Sequence, residues 1–139
     1  MIIAIDFDGT CVTHEYPNVG KDINAVPVLK ELVEKGHQLV LFTMRSDNLQ
    51  EEKTPLNSET GNYLTDAVNW FNDNGIPLYG VQTNPTQHTW TSSPKAYAQL
   101  YIDDAALGCP LKYDPEFADR PFVDWSMVRE MLVHYGVLL

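Results

Sequence analysis

The stretch Met1-Ile2-Ile3-Ala4-Ile5-Asp6-Phe7-Asp8-Gly9-Thr10 decides how the rest of the chain is read. Ile2 to Phe7 is a short apolar run rich in β-branched residues, closed by an Asp-Gly pair. Such a run reads as a strand buried on both faces, as in a parallel sheet. It ends in two carboxylates one residue apart. Burying that pair is costly unless something offsets its charge, and magnesium, a hard cation that prefers carboxylate oxygens, does so. Gly9 lets the backbone turn sharply or approach a ligand closely. Standing alone, the segment is explained about as well by a turn capped with aspartates, because Asp-Gly is a common turn pair.

Outward from this strand the chain alternates. Val26, Leu29, Leu32 and Val33 recur at helical spacing, with Pro27 in the first turn and Gly36 placed to end the helix. His37 to Thr43 reads as a second buried strand. A polar stretch, Arg45 to Asn62, is longer than compact domains usually keep without a purpose. Leu64, Ala67, Val68 and Phe71 mark the next amphipathic helix, ending near Gly75, and Leu78 to Gln82 a third strand. After a polar loop, Thr83 to Pro94, Leu100 to Ile102 forms a fourth strand. Ala105 to Pro121 is irregular, with room for a short fifth strand. Asp124 is placed to cap a last helix carrying Trp125, Val128, Met131, Leu132 and Tyr135. Strand and helix in alternation predict one α/β domain over residues 1–139, Rossmann-like, with a central, mostly parallel sheet and helices on both faces. In such sheets ligands bind beyond the carboxyl ends of the strands. Asp6 and Asp8, Thr43, and Asp103 with Asp104 all stand at strand ends.

Tyr101-Ile102-Asp103-Asp104 repeats the pattern of an apolar strand ending in adjacent acids. Two acidic strand ends at one edge repel unless a metal sits between them. Asp104 also suits a helix cap or a surface turn. Thr43 offers a hydroxyl that can donate to a phosphoryl oxygen, although threonine also simply suits a strand. Lys95 is a cation within range of the same pocket, or a solvated surface charge. Arg45 is either added positive charge at the site or a loop arginine paired with Asp47.

These segments, DFDGT, LFTMR, Lys95 and YIDD, resemble in order the four signature motifs of the haloacid dehalogenase superfamily, from Ile2 to about Asp104. The resemblance implies a phosphoryl-transfer enzyme. Asp6 would be the nucleophile that forms an aspartyl-phosphate. Asp8 would be the general acid, then the general base. Mg2+ would be held by Asp6, the Asp8 carbonyl and Asp103, with Asp104 in support. Thr43, Lys95 and, by its position, Arg45 would bind the phosphoryl group. An acid at Asp8 implies a phosphatase rather than a dehalogenase, because a phosphate ester usually needs its leaving oxygen protonated. The chain departs from the usual pattern at Cys11, where an apolar residue is common, and at Ala105-Ala106, where a basic residue is common.

The segments after Cys11 and after Arg45 have no room for a separate cap domain. The chain resembles the capless members, whose open sites accept large substrates or borrow a neighbouring subunit as a lid. A phosphorylated substrate, small or large, is therefore expected, and a homo-oligomer is compatible. Tyr16, His88 and Trp90 stand on the loops beside the presumed pocket. A phosphotransferase, or a binding module without turnover, fits the same residues. The net charge of −10, from 19 acidic and 9 basic side chains, argues against general nucleic-acid binding. No stretch is long enough to span a bilayer, and the N-terminus lacks the basic region of a secretory signal, so a cytoplasmic location is expected. Cys11 and Cys109 are expected as free thiols.

Overall fold

A computed structural model describes residues 1–47 and 61–139. Four strands, β1 (Ile2–Ile5), β2 (Gln38–Leu41), β3 (Gly80–Val81) and β4 (Leu100–Ile102), form one parallel sheet in the order β3-β2-β1-β4. It is flanked by α1 (Ala25–Glu34), α2 (Tyr63–Asp73) and α3 (Trp125–His134). The α/β reading with a parallel, Rossmann-like sheet is thus borne out. The irregular segment from Ala105 to Pro121 does hold a short fifth strand, β5 (Leu111–Lys112), which pairs antiparallel with β6 (Phe122–Val123) just beyond it.

The core follows from the sequence periods. In β1 and β2, Ile3, Ile5, Leu39 and Leu41 are fully buried. They join Leu29 and Leu32 of α1, Ala67 and Phe71 of α2, and Val128 and Leu132 of α3 in one apolar cluster. The intervening residues Ala4 and Val40 are buried too, so the central strands are covered on both faces. That is why they read as nearly continuous apolar runs. Among the described residues, no helix is long and apolar enough to cross a membrane.

Register places the chemistry. Ile5 pairs with Leu41 on one side and with Ile102 on the other. Asp6, Phe42 and Asp103 therefore leave the sheet together at its carboxyl edge. The chain runs from β1 outward through β2 to β3, then returns to add β4 on the opposite side of β1. The strand order thus reverses between β1 and β4, the crevice where open α/β sheets bind ligands.

Candidate metal centre

The loop after β1 is a tight turn built on Phe7 and Gly9. The Phe7 carbonyl accepts from the N–H groups of Thr10 (3.1 Å) and Cys11 (2.8 Å), and the Gly9 N–H donates to Val12 (2.7 Å). Gly9 has φ +81°, where an L side chain is strained. It also lies close under the site. A Cβ on Gly9 would stand 2.0 Å from His14 Nε2 and 2.7 Å from Asp104 Oδ2. The turn is anchored from the far end of the chain: the indole N–H of buried Trp125 donates to the Thr10 carbonyl at 2.7 Å, and the Val123 N–H donates to the Gly9 carbonyl at 3.0 Å.

Asp6, Asp103 and Asp104 converge above this turn, each offering a carboxylate oxygen within 4.8 Å of the others. The Asp6 N–H extends the β1–β4 ladder to the Ile102 carbonyl at 3.0 Å, which holds the two strand ends together. The Thr10 hydroxyl lies 2.9 Å from Asp6 Oδ2 and 3.2 Å from Asp104 Oδ1. Its one proton serves one of them at a time, while its oxygen accepts the Asp104 N–H at 3.0 Å. His14 Nε2 stands 2.8 Å from Asp104 Oδ2. Asp103 accepts the Ala105 N–H at 2.8 Å.

No lysine or arginine among the described residues pairs with these three acids. Two ionised carboxylates 4.8 Å apart repel by about 3.5 kcal/mol at an effective dielectric of ~20. The cluster therefore takes up either a proton or a cation. Burial, followed by the Asp103 charge, pushes the Asp6 carboxyl up to about 8, with the Thr10 hydroxyl partly offsetting the rise. The donor set is all hard oxygen at a strand-end crevice, which fits Mg2+ better than a soft or imidazole-seeking metal.

Asp8 sits apart from this cluster. Its two oxygens accept from Arg45 Nε and Nη2, each at 2.8 Å. Arg45 is almost wholly buried, and its other donors meet the carbonyls of Pro17, Asn18 and Tyr63. Arg45 is thus neither the partner of Asp47 nor open to a phosphoryl oxygen. Asp47 instead accepts from the N–H and hydroxyl of Thr65 in the first turn of α2.

Thr43 follows β2, half-buried, and its hydroxyl oxygen accepts the Arg45 N–H at 3.2 Å. Its backbone is clamped by Gln82, whose Oε1 accepts the Thr43 N–H and whose Nε2 donates to the Thr43 and Arg45 carbonyls. Lys95 is not drawn into the acids; its ammonium lies 5.5 Å from the Tyr101 ring centre. Tyr16 packs on Arg45 and Tyr63, and Trp90 on Tyr97. His88 is exposed on the single turn Gln87–Thr89. Most of the long Arg45–Asn62 segment lies outside the described residues.

Of the expected site residues, Asp6, Asp103 and Asp104 come together, while Asp8 and Thr43 stand at the same sheet edge. His14, Thr10 and Gln82 were not singled out by sequence reasoning. Thr10 lay within the quoted DGT motif and was open to discovery there. His14 and Gln82 act across long separations that no local pattern announces.

No protein-family model matches the chain. No curated protein matches it. Among solved structures, the chain is similar to a conserved protein from Bacteroides thetaiotaomicron, with 31% identity and a TM-score of 0.71, over 97% of this chain and 91% of that one. Identity at that level over nearly the full length of both chains places this chain in the same family as the conserved Bacteroides thetaiotaomicron protein.

Proposed function

We propose that the chain is a magnesium-dependent phosphatase of the haloacid dehalogenase type. The observation that carries this reading is the convergence of Asp6, Asp103 and Asp104 at the β1/β4 switch point. These are acids from opposite ends of the sequence, and a cation relieves their repulsion. Asp6, Asp103 and Asp104 would hold Mg2+, together with the Asp8 carbonyl. Bound there, the ion would neutralise charge on the phosphoryl oxygens and leave the Asp6 carboxylate ionised.

The chain's own residues then divide the work. The free Asp6 oxygen attacks phosphorus, the ester oxygen leaves, and an acyl phosphate forms on Asp6. Asp8 gives the leaving oxygen a proton carried on a lone pair outside the Arg45 fork, then takes one from the water that releases phosphate. Thr43 donates its hydroxyl to the phosphoryl group. Lys95 is exposed and makes no ion pair among the described residues, so it rather than Arg45 is the cation to meet the phosphoryl oxygens. The segments after Cys11 and after Arg45 are too short for a separate cap domain, so the substrate in this reading is a phosphate monoester approached from open solvent.

The test is hydrolysis of p-nitrophenyl phosphate with and without Mg2+, comparing the parent with Asp6→Asn. Activity that needs Mg2+ and vanishes in the variant is expected. Hydrolysis indifferent to the Asp6 substitution, or none with any ester in a broad panel, removes the reading.

A further inference from the structure

We propose that Arg45 is a positioning residue for Asp8 and takes no part in binding the phosphoryl group. This inference rests on the phosphatase reading above, and it reassigns the arginine that the motif order places among the phosphate ligands.

A guanidinium has five N–H donors. In Arg45 every one is engaged: Nε and Nη2 form a fork on the Asp8 carboxylate at 2.8 Å each, Nη1 donates to the Pro17 and Tyr63 carbonyls at 3.2 and 3.1 Å, and Nη2 also donates to Asn18 at 2.8 Å. Two aromatic rings pack against it as well, with the Phe7 ring centre at 5.0 Å and the Tyr16 ring centre at 5.1 Å. The side chain is 1% exposed. A cation in this state has neither a donor nor exposed surface left for a phosphoryl oxygen. What it does have is a two-point grip on the one carboxylate proposed to move protons. Such a fork fixes both the distance and the plane of Asp8.

Gln82 extends the grip backward. It is a non-glycine residue at φ +65°, and its amide holds the peptide that carries Thr43 and Arg45. Its own N–H donates to the Leu41 carbonyl at 2.7 Å, at the end of β2. The Thr43–Arg45 segment is thus tied to both β2 and the end of β3, and through Arg45 the sheet edge fixes Asp8. Because Arg45 also joins the 17–18 turn to the start of α2, it positions Asp8 against three separate segments.

The experiment is a double-mutant cycle on Mg2+-dependent hydrolysis with parent, Arg45→Lys, Asp8→Asn and the pair, with Arg45→Gln as a second variant. Inhibition by inorganic phosphate is measured in each, and thermal melts confirm folding. Arg45→Lys loses the fork and is expected to lower kcat between about tenfold and a hundredfold, as a carboxylate misplaced by about 1 Å does. The KM and the phosphate inhibition constant should stay within about twofold, as expected where binding is untouched. In the Asp8→Asn background the same change should have almost no further effect, the signature of one residue acting through another. Arg45→Gln, which keeps a planar donor head but cannot form the fork, should show the same split between kcat and KM, and it decides the matter if Arg45→Lys does not fold. Additive losses, or a phosphate inhibition constant raised along with KM, assign Arg45 to the phosphoryl group and overturn the proposal. A parent without Mg2+-dependent hydrolysis overturns the phosphatase reading itself, and this inference with it.

Discussion

Gly9 shows how little tolerance the centre has at a single residue. Its left-handed backbone alone costs an alanine about 1–2 kcal/mol. The added methyl would also drive into His14 Nε2 and Asp104 Oδ2. Gly9→Ala is therefore expected to lower stability in urea denaturation by at least that amount and to weaken Mg2+ binding, read by calorimetry, since Asp104 has to yield. Unchanged Mg2+ affinity in a folded Gly9→Ala protein would separate Asp104 from the metal. Cys11, two residues on, is fully buried, with its thiol 3.3 Å from the Asp6 carbonyl. Burial, then the Asp6 and Asp8 charges, raises its thiol well above the ordinary range, and burial raises that of half-buried Cys109 too. A thiolate is the reactive form, so both thiols should resist a disulfide reagent in the native protein. Cys109 should react slowly and Cys11 only on unfolding, with both titrating in guanidinium. Rapid native labelling of Cys11 would contradict its packing as an apolar filler beneath Asp6.

At the level of elements, α3 joins the turn of β1 to the rest of the molecule. Its Asp124 side chain accepts the Met127 N–H at 3.2 Å, the N-cap expected from the sequence, and Trp125 reaches the Thr10 carbonyl from the first helical position. Asp124→Ala should cost about 1 kcal/mol in thermal or chemical unfolding, and Trp125→Phe should cost activity as well, because it removes the donor that fixes Thr10. The elements legible in the sequence were those whose pattern is continuous: the apolar cores of β1, β2 and β4, and the apolar stripes of α1, α2 and α3. The strand ends were read too long. β1 stops at Ile5 rather than Phe7 and β2 at Leu41 rather than Thr43, because Phe7 and Thr43 direct their backbone groups into the site turns instead of the ladder. The β5–β6 pair, two residues a strand, is too short for any alternation to show. The acids at strand ends were legible because a charge following an apolar run is conspicuous. The Arg45–Asp8 fork was not, since its partners lie 37 positions apart and only the closed fold reveals that the guanidinium has no donor left over.

For the whole molecule, the three-acid cluster makes stability a function of pH and, with Mg2+ bound as proposed, of the ion as well. Without metal, folded Asp6 keeps its proton up to about 8, against an ordinary value of 3.8 in the unfolded chain. Between those values the folded state binds more protons, so its stability falls as pH rises. The contribution is fully present below 3.8 and is lost once pH has passed through about 8. In EDTA the melting temperature should therefore decline from pH 5 to pH 9, beyond any drift in Asp6→Asn, which has no proton to lose. In the proposed reading Mg2+ would compete for the same oxygens in the folded state alone, and so would stabilise by mass action. Proton release is part of that binding, which makes the ion a weak stabiliser at pH 5 and a strong one at pH 9. Saturating Mg2+ should accordingly flatten the decline in the parent and leave Asp6→Asn nearly unmoved at both pH values. Calcium, with longer and looser bonds to oxygen, separates charge relief from fit: if it restores the melting temperature while supporting no hydrolysis, the acids need a cation for folding and specifically Mg2+ for chemistry. A metal-free protein whose melting temperature is level across this range, or rises, would mean that Asp6 is already ionised beside its neighbours, and the electrostatic case for a cation at the β1/β4 edge would lose its basis.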